Sequence, residues 1–171
     1  DINSETGDIE YANGGSYKGD LVKLLRHGKG TLTFSNGDGY EGDFSNDKIS
    51  GSGKYTYSNG DVFEGEFNDG KKEGKGKYTW ASGAYYEGEY SDDVKNGEGV
   101  FHYADGSVYE GTFKSDLKDG KGKYTWENGD YYTGEFKEDN RCGEGMMCWA
   151  DGSKYVGEFK DNQLCGKGTY V

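Results

Sequence analysis

The sequence predicts an all-β fold, an elongated single-layer antiparallel meander of stacked β-hairpins with an aromatic and glycine groove face. Three observations predict it. An aromatic residue returns every 23 positions, at Tyr17, Tyr40, Phe63, Tyr86, Tyr109, Tyr132 and Tyr155, with no insertion or deletion between any two. A fixed period in this range marks a repeat array. Period-two alternation runs through each unit, as in Tyr40-Glu41-Gly42-Asp43-Phe44, where rings or glycine point one way and charge the other. Helix signals are absent, and the 171 residues include 32 glycines and no proline.

Taken in order, residues 1–16 read as the back half of an earlier repeat. Gly7, Ile9, Tyr11 and Asn13-Gly14 fall in phase with Gly30, Leu32, Phe34 and Asn36-Gly37. Full repeats open at 17, 40, 63, 86, 109, 132 and 155, and the chain stops at Tyr170-Val171 inside a second strand. Both ends read as cut, as in a fragment of a longer protein or a close-trimmed array. Residues 1–171 form one array, with no linker or second domain expected. Each repeat holds a first strand, then a polar loop such as Asn68-Asp69-Gly70-Lys71-Lys72-Glu73. A second strand follows, such as Gly51-Ser52-Gly53-Lys54-Tyr55-Thr56-Tyr57, and a tight turn such as Asn59-Gly60 leaves it. About 14 strands at about 4.8 Å each span roughly 65 Å.

Four columns per repeat hold every aromatic residue except Tyr85 and Tyr131. Four others, those of Gly42, Gly51, Gly53 and Gly60, are glycine in every full repeat that reaches them. The first three share the parity of the rings, which predicts rings lying over bare backbone of neighbouring strands. Gly60 is assigned to a positive φ in its turn. The opposite face carries Glu41, Asp43, Glu64, Glu66, Glu87 and Glu89, with Lys54, Lys77 and Lys123 on neighbouring strands. Opposite charges across strands contribute about 0.2–1 kcal/mol each. This face reads as a solvated surface, the alternative being a docking surface for a basic protein. A single hairpin is marginal in water, so stability must come from stacked neighbours.

Composition narrows the partners. A formal charge of −12 disfavours nucleic acid and anionic membranes, both of which reward a basic face. No apolar run reaches transmembrane length and no signal peptide is read at the start. Cys142 and Cys165 hold equivalent places in consecutive repeats, about 10 Å apart at two strand spacings and beyond the roughly 7 Å that a disulfide spans. With Cys148 the count is odd, and a reduced, cytosolic setting is expected.

These residues resemble the MORN (membrane occupation and recognition nexus) repeat. The core Phe63-Glu64-Gly65-Glu66-Phe67, the following Gly74-Lys75-Gly76 and a glycine turn recur in seven copies of constant phase. The resemblance implies a twisted antiparallel sheet with an aromatic groove, serving as a scaffold or docking module. Such proteins occur in cytoskeletal and ciliary assemblies, at membrane junctions, and as arrays attached to lipid kinases and lysine methyltransferases. Several self-associate or bind a partner segment along the groove. Two places depart from the pattern. Repeat one has Leu21, Val22, Leu24 and Leu25, and repeat six has Met146-Met147-Cys148-Trp149. These read as end-capping and drift, or as contact sites for a partner.

No catalytic or metal constellation is read. His27 and His102 have no evident partner in the sequence, the cysteines lack zinc spacing, and no calcium loop or phosphate-binding glycine loop is present. The expected function is a non-enzymatic protein-interaction scaffold, with no cofactor, binding a peptide segment or a second copy of itself. Its setting is expected to be cytoplasmic, in a cytoskeleton- or cilium-associated assembly. The contact residues expected are Tyr57, Phe63, Trp80, Tyr86, Tyr103, Tyr109, Trp126 and Tyr132, since large amphipathic rings dominate interface hot spots. A phospholipid-binding module, a carbohydrate-binding repeat and a regulatory array of a larger enzyme are the alternatives.

Overall fold

The computed structural model describes residues 4–171. These hold fifteen strands and no helix: β1 (Ser4–Glu10), β2 (Ser16–Val22), β3 (Leu25–Thr33), β4 (Gly39–Ser45), β5 (Lys48–Thr56), β6 (Val62–Asn68), β7 (Lys71–Thr79), β8 (Tyr85–Ser91), β9 (Val94–His102), β10 (Val108–Lys114), β11 (Leu117–Thr125), β12 (Tyr131–Lys137), β13 (Asn140–Cys148), β14 (Lys154–Lys160) and β15 (Gln163–Tyr170). They follow one another in sequence order in one antiparallel sheet. β1 is the strand that the partial repeat adds to the seven hairpins. Residues 1–3, the start of that partial repeat, lie outside the described residues. By internal contacts the chain divides into two units, one running to Ala81 with Tyr90–Asp93, the other Ser82–Glu89 with Val94–Val171.

The two kinds of turn are the reverse of the sequence expectation. The tight two-residue turn lies inside each repeat, and the Asn59-Gly60 pair sits in a five-residue connector between β5 and β6. Asn46 and Asp47 adopt φ of 49° and 70°, and Asp69 and Gly70 adopt 53° and 82°. Two successive positive φ values are what a type I′ hairpin requires. Asx residues enter that region at modest cost, so no Asn-Gly is needed. The second turn residue has a further task. The Asp47 N–H donates to the Arg26 carbonyl (2.8 Å), and the Asp47 carboxylate accepts from the Arg26 N–H (3.2 Å). Asp93, Asp116, Asp139 and Asn162 repeat the exchange with Lys72, Lys95, Lys118 and Arg141. Each hairpin tip is thus laced to the tip before it. In the connector, Gly60 takes φ of 99° as expected, and the Tyr57 N–H donates to the Asp61 carbonyl (2.9 Å).

The core is the row of opening rings. Tyr17, Tyr40, Phe63, Tyr86, Tyr109 and Tyr132 are all at most 1% exposed. Register pairs Gly42 with Gly53 and Gly53 with Gly65, placing a line of bare backbone beneath the rings. A Cβ on Gly53 would enter the Tyr40 ring, and one on Gly42 would lie 2.5 Å from the Gly53 Cα. A second ring closes each layer edge-on. Tyr40 meets Phe44 at 5.2 Å and Phe67 at 5.4 Å, both T-shaped. The Tyr40 hydroxyl donates to the Asp43 carbonyl (2.9 Å), at the bulge where Asp43 is skipped in the pairing with β5.

The third glycine column has another cause than ring packing. Gly51 has φ of 108°, and a Cβ there would meet the Asp43 side chain and no ring. The Asp43 carboxylate accepts from the Ser52 N–H (2.9 Å), and Glu66 and Glu89 do the same for Lys75 and Glu98. Those acids therefore tie down a bulge; Glu41, Glu64 and Glu87, like Glu66, are exposed. Lys54 pairs in register with Glu41 and Glu64 and reaches the Glu64 carboxylate at 3.7 Å. Of the departures, Leu21 and Met147 fill ring positions in the core, while Leu24 and Leu25 are exposed. His102 stacks on Tyr85 at 4.2 Å, and the His27 Nδ1 accepts from the Asn46 N–H at 3.3 Å. Cys142, Cys148 and Cys165 are free thiols, with Cys148 buried.

A half-exposed ring ladder as the candidate binding face

The eight rings named as contacts divide into two sets. Phe63, Tyr86, Tyr109 and Tyr132 are fully buried. They cover glycines, and with no exposed surface they cannot touch a partner, which corrects the expectation for these four. Tyr57, Trp80, Tyr103 and Trp126 are half-buried. Each is the first residue of a connector, where the strand has ended and no neighbouring glycine lies beneath the ring.

The structure joins these residues to the rings two positions before them. In the first unit Phe34, Tyr55, Tyr57, Tyr78 and Trp80 succeed one another at centroid distances of 5.6, 4.5, 5.5 and 4.5 Å. In the second, Phe101, Tyr103, Tyr124 and Trp126 follow at 4.3, 5.6 and 4.8 Å. Interplanar angles of 32–55° tilt successive rings against one another, and each ring keeps part of its surface exposed.

Carboxylates hold the ladder in the first unit. The Tyr55 hydroxyl donates to Asp38 Oδ2 (2.7 Å), and the Ser58 N–H donates to Asp38 Oδ1 (2.8 Å). Tyr78 and Ala81 treat Asp61 in the same way, at 2.7 and 2.8 Å. Asp38 and Asp61 are buried. Burial opposes the charge of Asp38, but its hydrogen bonds from Tyr55 and Ser58 outweigh this and hold its carboxyl below the ordinary range. The Tyr78 hydrogen bond does most to hold Asp61 low. In exchange, burial and these acids push the Tyr55 and Tyr78 hydroxyls up.

A row of cations, missed in the sequence, flanks the rings on their hairpin-tip side. The Lys72 ammonium lies 5.6 Å from the Phe63 centroid and 5.8 Å from those of Tyr78 and Tyr90. Lys118 lies 5.7 Å from Tyr103, 5.8 Å from Tyr109 and 5.6 Å from Tyr124. Arg141 stands over Trp126 at 5.3 Å. The lysine side chains are 15% exposed, and Asp93 and Asp139 sit within 3.5 Å of the two ammoniums. A signal was present. The column of Arg26, Ile49, Lys72, Lys95, Lys118, Arg141 and Leu164 exchanges cations with aliphatics, as where an alkyl stem packs on rings and only the head stays wet. Among the described residues, no group of three or more His, Cys, Asp or Glu is placed to hold a metal ion.

No curated protein matches the chain. Among solved structures, the TCP domain of Drosophila melanogaster SAS-4 (dCPAP), in complex with a proline-rich motif of Ana2 (dSTIL), is similar. It is 17% identical, with a TM-score of 0.54 over 90% of this chain and 84% of that one. The TCP10c domain of Drosophila melanogaster Sas-4 is 16% identical, with a TM-score of 0.43 over 97% and 98% of the two chains. The CPAP G-box domain is 12% identical, with a TM-score of 0.49 over 98% of each. At such identities the first of these shows a shared fold and nothing more. The MORN repeat profile matches seven adjoining segments, 17–39, 40–62, 63–85, 86–108, 109–131, 132–154 and 155–171. These are the seven hairpins defined above, and the chain belongs to the MORN repeat family.

Proposed function

We propose that this chain is a non-enzymatic protein-binding module whose two units each dock an extended segment of another protein along their own run of half-buried ladder rings. The observation that carries the reading is the ladder itself. Tyr57, Trp80, Tyr103 and Trp126 present tilted rings to solvent, backed by a core of buried rings that fixes them before any partner arrives. Rings held in this way give contact area at little entropic cost. The similar SAS-4 TCP domain, which carries a proline-rich motif of Ana2, supports an extended segment as the occupant. The setting we assign is a cytoplasmic, cytoskeleton- or cilium-associated assembly, as the family resemblance implies. A net charge of −12 weighs against a membrane surface as the primary partner.

The test begins with peptides selected from a displayed library against the whole chain. Trp80→Ala and Trp126→Ala are then compared with Glu64→Gln and Glu87→Gln, whose carboxylates are exposed on the other face. Each Trp variant, confirmed folded by circular dichroism, is expected to weaken binding about thirtyfold, as for a hot spot of about 2 kcal/mol. The Glu variants should bind within about twofold of the parent chain. Loss confined to the Glu variants would move recognition to the acidic face. A concentration-dependent dimer that Trp126→Ala abolishes would make a second copy the occupant.

A further inference from the structure

The geometry points to the chemistry of the docked segment: a polyproline-II stretch carrying a Lys or Arg once in every three residues, laid across the strands of the second unit. The inference rests on the ring-docking reading and specifies its occupant from pitch and charge.

Pitch comes first. One ladder pair recurs per hairpin, two strand spacings or about 9.4–9.8 Å apart. A polyproline-II helix has three residues per turn and a rise of about 3.1 Å, a repeat of about 9.3 Å. Such a segment running across the strands brings one side chain per turn to each successive hairpin, drifting by about 0.5 Å or less per step. An extended strand, repeating its facing side chains every ~6.7 Å, and an α-helix, with a pitch of ~5.4 Å, lose register within one hairpin.

Charge decides which side chain. The connectors that open with ladder rings span 34–38, 57–61, 80–84, 103–107, 126–130 and 149–153, and none contains Lys, Arg or His. The last three contain Asp105, Glu127, Asp130 and Asp151, of which Asp105, Glu127 and Asp151 are exposed. The Glu127 stem lies alongside Gly106, which brings its carboxylate beside the connector of Asp105 and Tyr103. On their other flank the same rings already hold cations of the chain itself, Lys118 against Tyr103 and Tyr124 and Arg141 against Trp126. Those cations have partners at the hairpin tips, Asp139 for Lys118 and Asn162 for Arg141. Within the connectors Asp105 accepts from the Ser107 N–H (2.8 Å) and Asp151 from the Ser153 N–H (2.9 Å), bonds that use one oxygen and bring no positive charge. The connector flank thus combines partly exposed rings with carboxylates that face no Lys or Arg of their own connectors, the environment that a guanidinium or ammonium from outside completes through cation–π and ionic contacts.

The experiment measures binding of labelled repeating peptides to the whole chain by fluorescence anisotropy, at low and at ~0.3 M salt. The peptides are Pro-Pro-Arg, Pro-Pro-Glu and Pro-Pro-Ala repeats, with a further one of Pro-Pro-Pro-Arg repeats that keeps the charge and breaks the pitch. Pro-Pro-Arg should bind about tenfold or more tighter than each of the others and weaken with salt. Asp105→Asn, Glu127→Gln and Asp151→Asn combined keep the side-chain oxygens that accept from the Ser107 and Ser153 N–H groups, and should remove about tenfold of that affinity while the chain stays folded by circular dichroism. Equal binding of Pro-Pro-Arg and Pro-Pro-Ala, both sensitive to Trp126→Ala, overturns the basic segment and leaves ring docking intact. Equal binding of Pro-Pro-Arg and Pro-Pro-Pro-Arg overturns the pitch argument. Pro-Pro-Arg binding that Trp126→Ala does not affect overturns this inference and the docking surface beneath it.

Discussion

Two rows of rings run through every repeat, built from the same residue types and only a few ångströms apart, yet one is core and the other is surface. Tyr109 is 0% exposed, while Trp126, just past the end of the same hairpin, is half-buried. The difference lies beneath the rings. Tyr109 covers Gly111 and Gly122, whose Cα atoms face each other across β10 and β11, and its hydroxyl reaches the Thr112 carbonyl (2.7 Å). Trp126 stands beyond the last ladder pair, at the start of a connector, with Arg141 over its ring. Aromatic character alone therefore does not make a contact residue in this architecture. A ring becomes available where the glycine track ends.

Truncation of the two rows should separate them most. Tyr109→Ala empties a filled layer and should cost about 3–5 kcal/mol in urea unfolding, as other large core aromatics do. Trp126→Ala should cost under about 2 kcal/mol, because solvent can take the vacated space. Equal losses would mean that the ladder is as structural as the core and would break the comparison.

The carboxylates beneath the first-unit ladder sharpen it further. Asp61→Asn gives one of the two donors, the Tyr78 hydroxyl or the Ala81 N–H, a neutral acceptor and sets the other against an NH2, and should cost about 1–3 kcal/mol at pH 7. The sign with pH follows from the lowered carboxyl. Protons bind the unfolded chain first, so the stability contributed by ionised Asp61 is present above the unfolded value near 3.8 and is lost as pH falls through the folded one. The variant should show a shallower acid limb than the parent chain. Identical limbs would show that Asp61 does not support the ladder.

The smallest effect concerns the hydroxyls of the buried row. Phe63 already occupies one of these positions without any hydroxyl, so Tyr40→Phe should cost only about 1 kcal/mol for its lost bond to the Asp43 carbonyl. Burial pushes the Tyr40 and Tyr132 hydroxyls up to about 12. Above the unfolded value near 10 the unfolded chain releases these protons first, and stability falls as pH rises toward 12. Tyr40→Phe should reduce that alkaline slope in a melt series from pH 9 to 12. An unchanged slope would place the buried titration elsewhere.

Strict periodicity made the sequence unusually informative about this fold. The 23-residue spacing, the ring and glycine columns and the two-fold alternation settle the hairpin, its register and the face on which the rings lie, because a one-residue slip would bury charge and expose rings. Other features needed tertiary structure. Which turn is tight could not be read from Asn59-Gly60, since Asn46-Asp47 reaches the two successive positive φ values of a tight turn without glycine and is held by its exchange with Arg26. The task of Gly51 depended on a bulge and on the acid that caps it. Above all, columns record residue types but not what lies under each side chain in the neighbouring strand. Only the stacked sheet decided that Phe63, Tyr86, Tyr109 and Tyr132 are covered while Tyr57, Trp80, Tyr103 and Trp126 remain open. It also placed Lys72 and Lys118 against their rings, because burial is a property of neighbours brought together by folding.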